Sequence, residues 1–158
     1  MSFRSNILLA LASLMFAGTA LADQNEPIGI WLTQAGDAKI QIARCGSTIC
    51  GTIVWLKAPL DSATGKLQTD DKNPDPAKAQ RPIIGLNLFL GMKSEGSKWS
   101  GRIYNADDGK TYASNLSLVS PKALKVEGCV LMFCGSETWT KLSDPQTAMV
   151  IAPAVNQR

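Results

Sequence analysis

Histidine is absent from the whole chain of 158 residues. Ser-His-Asp and Cys-His nucleophilic catalysis both need an imidazole base that titrates near neutral pH, so both are excluded. Zinc sites with histidine ligands go with them. Aromatic residues make up only 6% of the chain, too few for a sticky aromatic surface, and the four tryptophans fall inside apolar or alternating segments. The formal charge is +3 and no block of lysine and arginine stands out. That balance gives no electrostatic footprint for nucleic acid or an anionic membrane. No apolar run reaches the roughly 20 residues that a spanning helix needs, so an integral membrane protein is not expected. No residue set calls for a cofactor or a resident metal.

What is present begins with an export signal. Arg4 supplies a positive start, Ile7 to Phe16 an apolar stretch, and Ala20-Leu21-Ala22 a small-x-small cleavage site, which predicts Asp23 as the first mature residue. The expected organisation is a signal peptide over 1–22, a single β domain over 23–142 and a flexible tail over 143–158. The chain is therefore expected to be periplasmic or secreted.

Two cysteine pairs share one spacing, Cys45-x4-Cys50 and Cys129-x4-Cys134. In an exported chain such pairs read as disulfides, and each sits where a strand pattern turns back. Four cysteines allow three connectivities. The local one, Cys45 with Cys50 and Cys129 with Cys134, is favoured; the crossed pairings stay open if the two hairpin ends lie together. A redox role is disfavoured because neither pair is C-x-x-C and no helix start is evident to lower a thiol pKa.

After a short apolar run at 28–33, the mature chain shows period-two patterning over 38–44, 83–92, 98–104, 111–119, 124–130 and 136–142, with 49–57 apolar on both faces. Gln34-Ala35-Gly36-Asp37, Ser94-Glu95-Gly96-Ser97, Asn105-Ala106-Asp107-Asp108-Gly109 and Ser120-Pro121-Lys122 supply tight turns between them. Eight strands in a meander must either close or double over to remove their edges. The fold class is all-β, an eight-stranded antiparallel up-and-down barrel. Trp55, Leu88, Leu90, Trp99, Ile103, Leu116 and Val126 are the expected inward or core positions. The 60–82 segment breaks the rhythm with Asp, Lys and Pro. A loop of that length is functional or disordered in most proteins that have one.

Within that loop Asp71-x-Asn73-x-Asp75 has the start of a calcium loop, but Pro76 stands where glycine is needed and Pro82 where a bidentate glutamate is needed. Asn73 and Asp75 are instead expected to bond nearby amides and lock the turns, with Arg81 pairing to Asp71 or Asp75. Asp107 and Asp108 read as turn residues rather than a catalytic carboxylate pair.

Gly29-x-Trp31 at the start of the first strand resembles the opening of the lipocalin superfamily. There the tryptophan closes one barrel end beneath a basic side chain from the last strand, a part that Lys141, after Trp139, would take. The whole succession Gly29-x-Trp31, Cys45-Gly46, Cys50-Gly51-x-Ile53-Val54-Trp55, Asp71-x-Asn73-Pro74-Asp75, Arg81-Pro82-x-x-Gly85, Trp99-x-Gly101-x-Ile103-Tyr104, Asp108-Gly109-Lys110-x-Tyr112, Gly128-Cys129 and Trp139-Thr140-Lys141 is similar to an exported bacterial family, domain of unknown function 2147. The chain departs from it at Lys141, where arginine is common, and at Ala106, where proline is. The resemblance implies a lipocalin-like, or calycin-like, barrel and a small apolar ligand.

The expected function is therefore that of a non-enzymatic binding protein. Trp55, Leu88, Leu90, Trp99, Ile103 and Leu116 are its candidate cavity lining, and Arg102 or Tyr104 is the candidate for orienting a polar head. The alternative is an envelope interaction or inhibitor module acting through the 60–82 loop.

Overall fold

The computed structural model describes residues 26–142, and these form a closed barrel of eight antiparallel strands in chain order. The signal peptide expected over 1–22 and the tail expected over 143–158 lie outside the described residues. The strands are β1 (Gly29–Leu32), β2 (Ala38–Cys45), β3 (Thr48–Leu56), β4 (Phe89–Glu95), β5 (Lys98–Asn105), β6 (Lys110–Ser120), β7 (Ala123–Val130) and β8 (Phe133–Lys141). β8 returns to β1 through Trp31 opposite Lys141 and Leu32 opposite Thr140. Closure leaves these eight described strands no free edge for another chain to extend.

Period-two patterning sets the core. Ile40 and Ile42 of β2, Ile49 and Ile53 of β3, Phe89 and Met92 of β4, Trp99 of β5, Leu116 of β6, Leu124 and Val126 of β7 and Trp139 of β8 are all buried. Three register shifts interrupt the pairing among the described residues; one lies between Leu118 and Ser120 of β6, and the other two bear on the site. Lys39 faces Trp55 while Ile40 faces Ile53, so Val54 is an extra residue. Gly91 and Met92 together oppose Gly101, because Leu90 faces Arg102 and Lys93 faces Ser100. An inserted residue reverses which face every following residue takes.

The seam between β3 and β4 is short, with Ile49 opposite Met92 as its strand pair. The connecting segment 57–88 completes the wall. Its last residues pair with β3 through Gly85 N to Ile53 O at 2.8 Å, Ile53 N to Leu86 O at 3.0 Å and Leu88 N to Gly51 O at 2.7 Å. Leu88 O then accepts from Tyr104 N of β5 at 2.8 Å. The long loop is thus part of the barrel rather than a flap beside it. It contains one helical turn, α1 (Pro76–Ala79), capped by the Asp75 carboxylate, which accepts from Ala77 N at 3.0 Å.

The barrel has one closed end and one open end. At the closed end Trp31 is fully buried and its indole N–H donates to Pro27 O at 2.8 Å. The Lys141 ammonium lies 5.4 Å from the Trp31 ring centre. Arg44, paired with Glu26, stands 5.3 Å from the Trp99 ring. Two cations over two indoles seal this end, each at cation–π distance. Gly29 leaves room for the lysine, since a Cβ there would lie 2.6 Å from Lys141 Cε.

Both cysteine pairs are local disulfides, Cys45–Cys50 and Cys129–Cys134. They lie at opposite ends of the barrel. The first clips the β2–β3 turn at the closed end, and the second clips the β7–β8 hairpin at the open end. Crossed pairings would have to span the length of the barrel.

Candidate functional site

A cavity of about 860 Å³ opens at the end of the barrel that carries the β1–β2, β5–β6 and β7–β8 turns and the 57–88 segment. Its deep wall is aliphatic and aromatic: Ile40, Ile53, Leu88, Ile103, Val126 and Trp139 all line it. Phe89 and Trp139 stack beneath it with ring centres 5.9 Å apart. The mouth is polar, with Asp37, Asp71, Asp107, Glu137, Lys72 and Gln68 among its lining residues. Glu137 accepts the Trp139 indole N–H at 2.9 Å and so joins the rim to the floor.

Two glycines make the room. Gly128 and Gly135 stand directly opposite each other on β7 and β8, and both line the cavity. A Cβ added at Gly135 would meet nothing within 4 Å, and one at Gly128 would meet only Ile103 Cγ2, at 3.9 Å. Ser114 sits opposite both Gly101 and Gly128; it is buried and its hydroxyl has no hydrogen-bond partner. Small residues at one level on β5 to β8 thin the wall where larger side chains would fill the lumen.

The expected site residues separate into three groups. Leu88 and Ile103 line the cavity, and Trp99 and Leu116 are buried in the core below it. The shift at Val54 carries Trp55 to the outer face, where it packs beneath the Lys39 ammonium, 4.8 Å from its ring; Leu90 stands opposite the exposed Arg102 but is partly buried and packs against the core. That placement corrects the assignment of Trp55 as inward and of Trp55, Leu90 and Arg102 as cavity lining; Leu90 keeps its place in the core packing. Tyr104 is buried and is among the residues that line the cavity, while its hydroxyl turns to Asp70 under the loop.

That cover is a buried polar network which the sequence reading missed in part. Asp70 is 0% exposed. Its carboxylate accepts from Tyr104 Oη at 2.6 Å, Asn73 Nδ2 at 2.8 Å and Arg81 Nε at 2.9 Å. The Arg81 guanidinium makes a second contact with it at 2.8 Å and lies 5.7 Å from the Tyr104 ring. Asp70 N also donates to Arg81 O at 2.9 Å. Arg81 therefore pairs with Asp70 rather than with Asp71 or Asp75, which pair with Lys72 and Lys78. Asn73 Oδ1 accepts from Asp75 N at 3.0 Å, which turns the chain into α1. Burial alone would raise the Asp70 pKa, but hydrogen bonds from Tyr104, Asn73 and Arg81, with the Arg81 charge, outweigh it and leave the pKa lowered. Tyr104 is pushed up, first by burial and then by Asp70.

The β5–β6 turn locks onto the same loop. Gly109 has φ +70°, and a Cβ there would lie 1.9 Å from Lys72 O. Gly109→Ala is expected to destabilise the fold by more than about 1 kcal/mol, since it meets both a left-handed backbone and a backbone clash; urea unfolding would measure it. Beside that turn the Tyr112 hydroxyl donates to Asp108, which lowers the Asp108 pKa.

Among the described residues, no helix is long and apolar enough to cross a membrane. No curated protein matches the chain by sequence. A solved structure, "Protein HP1028 from the human pathogen Helicobacter pylori belongs to the lipocalin family", is similar in fold, with TM-score 0.64 and 21% identity over 77% of this chain and 86% of that one. A family model described as "Uncharacterized protein conserved in bacteria (DUF2147)" matches residues 29–141, from the glycine under Lys141 to Lys141 itself. With its eight strands closed into a lipocalin-like barrel over that same span, the chain belongs to the DUF2147 family.

Proposed function

We propose that this protein is an exported, non-enzymatic carrier of a small, largely apolar molecule held in the barrel lumen. The observation that carries the reading is the cavity of about 860 Å³ with an aliphatic wall, a polar mouth and one sealed end. Ligand sites commonly fall at roughly 300–1,000 Å³ and combine an apolar lining with a few polar groups. Apolar surface transferred from water into such a wall gains about 25 cal/mol per Å². Export is supported by the two disulfides, which persist in oxidising compartments, and by the leader expected over 1–22.

The mouth also selects. Of the charged lining residues, Asp37, Asp71, Asp107 and Glu137 are acidic and Lys72 is basic, and Lys72 is paired to Asp71. A carboxylate head would enter a negative rim, so a neutral or cationic head is favoured over an anionic one. Native mass spectrometry and solvent extraction of the purified protein are expected to yield a co-purified apolar molecule. In titrations with amphiphiles of one chain length, the alcohol or the amine is expected to bind at least tenfold more tightly than the carboxylate. If none of the three binds, the lumen is not a carrier site.

A further inference from the structure

The tip of the β7–β8 hairpin is apolar and bare. Val130, Leu131, Met132 and Phe133 are 53%, 94%, 91% and 81% exposed. Single exposed apolar residues are ordinary on protein surfaces, but four in succession at one projecting point are not. The backbone holds them there at some expense. Val130 pairs with Phe133, which leaves Leu131 and Met132 at the apex, and Leu131 takes φ 54°. Glycine or asparagine would adopt that conformation more readily than a leucine. The Cys129–Cys134 disulfide ties the two strands together directly below the tip, so the four side chains cannot splay or fold back as the strands part.

We infer that this tip is a membrane-docking wedge, which inserts into the interfacial layer of a lipid bilayer with a neutral or zwitterionic surface and sets the cavity mouth against it. Area and charge select this occupant. A stable protein partner covers about 800 Å² on each side, and four side chains on a convex two-residue turn offer far less. A bilayer accepts a small apolar point with no complementary surface required. The tip carries no charge and the neighbouring mouth is acidic, which suits a neutral surface better than an anionic one. The wedge belongs to the open end, where the hairpin strands also supply Gly128, Gly135 and Glu137 to the cavity. Docking would therefore bring the mouth to the phase in which apolar molecules concentrate. That consequence rests on the carrier reading; the docking itself does not.

Flotation with phosphatidylcholine vesicles tests the wedge. The native mature protein, beginning at Asp23, is expected to float, and added salt should not release it, because no ionic contact is involved. The combined substitution Leu131→Asn, Met132→Ser and Phe133→Ser should reduce the bound fraction at least tenfold. Leu131→Asn by itself, which suits the apex backbone, should reduce it partly, with near-ultraviolet circular dichroism unchanged in both variants. A native protein that stays at the bottom of the gradient, or a triple variant that floats equally well, overturns the inference. So does tip-dependent self-association without flotation, which would make a second copy the occupant. A soluble apolar dye measured in parallel separates the two readings. Tip-dependent flotation with no dye uptake leaves the wedge standing and removes the carrier.

Discussion

Asp70→Ala is expected to lower the stability of the barrel by about 3 kcal/mol, near the bottom of the range for breaking a buried ion pair from one side. The substitution leaves the Tyr104 hydroxyl, the Asn73 amide and the Arg81 guanidinium facing a void where a carboxylate with no solvent exposure had stood. The lower bound applies because the Arg81 side chain is 39% exposed and can rehydrate. By the same reasoning Arg81→Ala should cost at least as much as Asp70→Ala, because it leaves the Asp70 carboxylate, with no solvent exposure, without its countercharge. The loop segment 57–88 should become sensitive to protease in the Asp70 variant, since its middle is held to β5 through this carboxylate. Urea unfolding with an unchanged slope would report the stability loss directly. A change of less than about 1 kcal/mol would show that the network is not what fastens the loop.

The pH dependence follows from the same contacts. The folded pKa of Asp70 is lowered, so its contribution is present above the ordinary carboxylate value and is lost as pH falls through the lowered one. The folded pKa of Tyr104 is raised, so its contribution is present below the ordinary phenol value of 10.0 and is lost as pH rises through the raised one. Together they give a stability plateau between the two limits, and Asp70→Ala should flatten the acid shoulder.

Much of the fold was legible because its determinants are local. Alternation at period two placed β2, β3, β5, β6 and β7 within a residue or two of their ends, and turn residues placed the hairpins. Cysteine spacing gave the clips for the same reason. What escaped was whatever depends on one inserted residue or on distant partners. Val54 and Gly91 look like ordinary strand residues, yet the shift at Val54 turns Trp55 outward and the one at Gly91 sets Leu90 opposite the exposed Arg102, off the cavity lining. The run from 83 to 92 read as one strand, but its first half pairs with β3 by a few hydrogen bonds before β4 begins at Phe89. Asp70 was passed over for its neighbour Asp71 because sequence gives no sign of which carboxylate of a doublet faces inward. The glycines that open the cavity carried no signal either: Gly128 was read as part of a motif, and only its position opposite Gly135 reveals the space. The hairpin tip was hidden inside the Cys129 to Cys134 spacing, where Leu131 and Met132 form a turn without turn-forming residues.

Filling that space is expected to abolish binding while sparing the fold. Gly128→Leu with Gly135→Leu places two branched side chains across the lumen from opposite strands, at backbone positions that a side chain can adopt and where an added Cβ meets at most an ordinary contact. Glycine within a strand weakens it, so neither change should lower stability by more than about 1 kcal/mol, and a small gain is reasonable. Affinity for the preferred amphiphile should fall at least tenfold, about 1.4 kcal/mol, because the lost volume lies between Ile103, Val126 and Trp139, where the apolar portion of a ligand would sit. Trp55→Ala is the matching control. It deletes a far larger aromatic surface, but from the outer face beneath Lys39, and should leave affinity unchanged. Should Trp55→Ala weaken binding while the paired leucines do not, the ligand is held on the outside of the sheet, and the lumen is only the space left by two glycines.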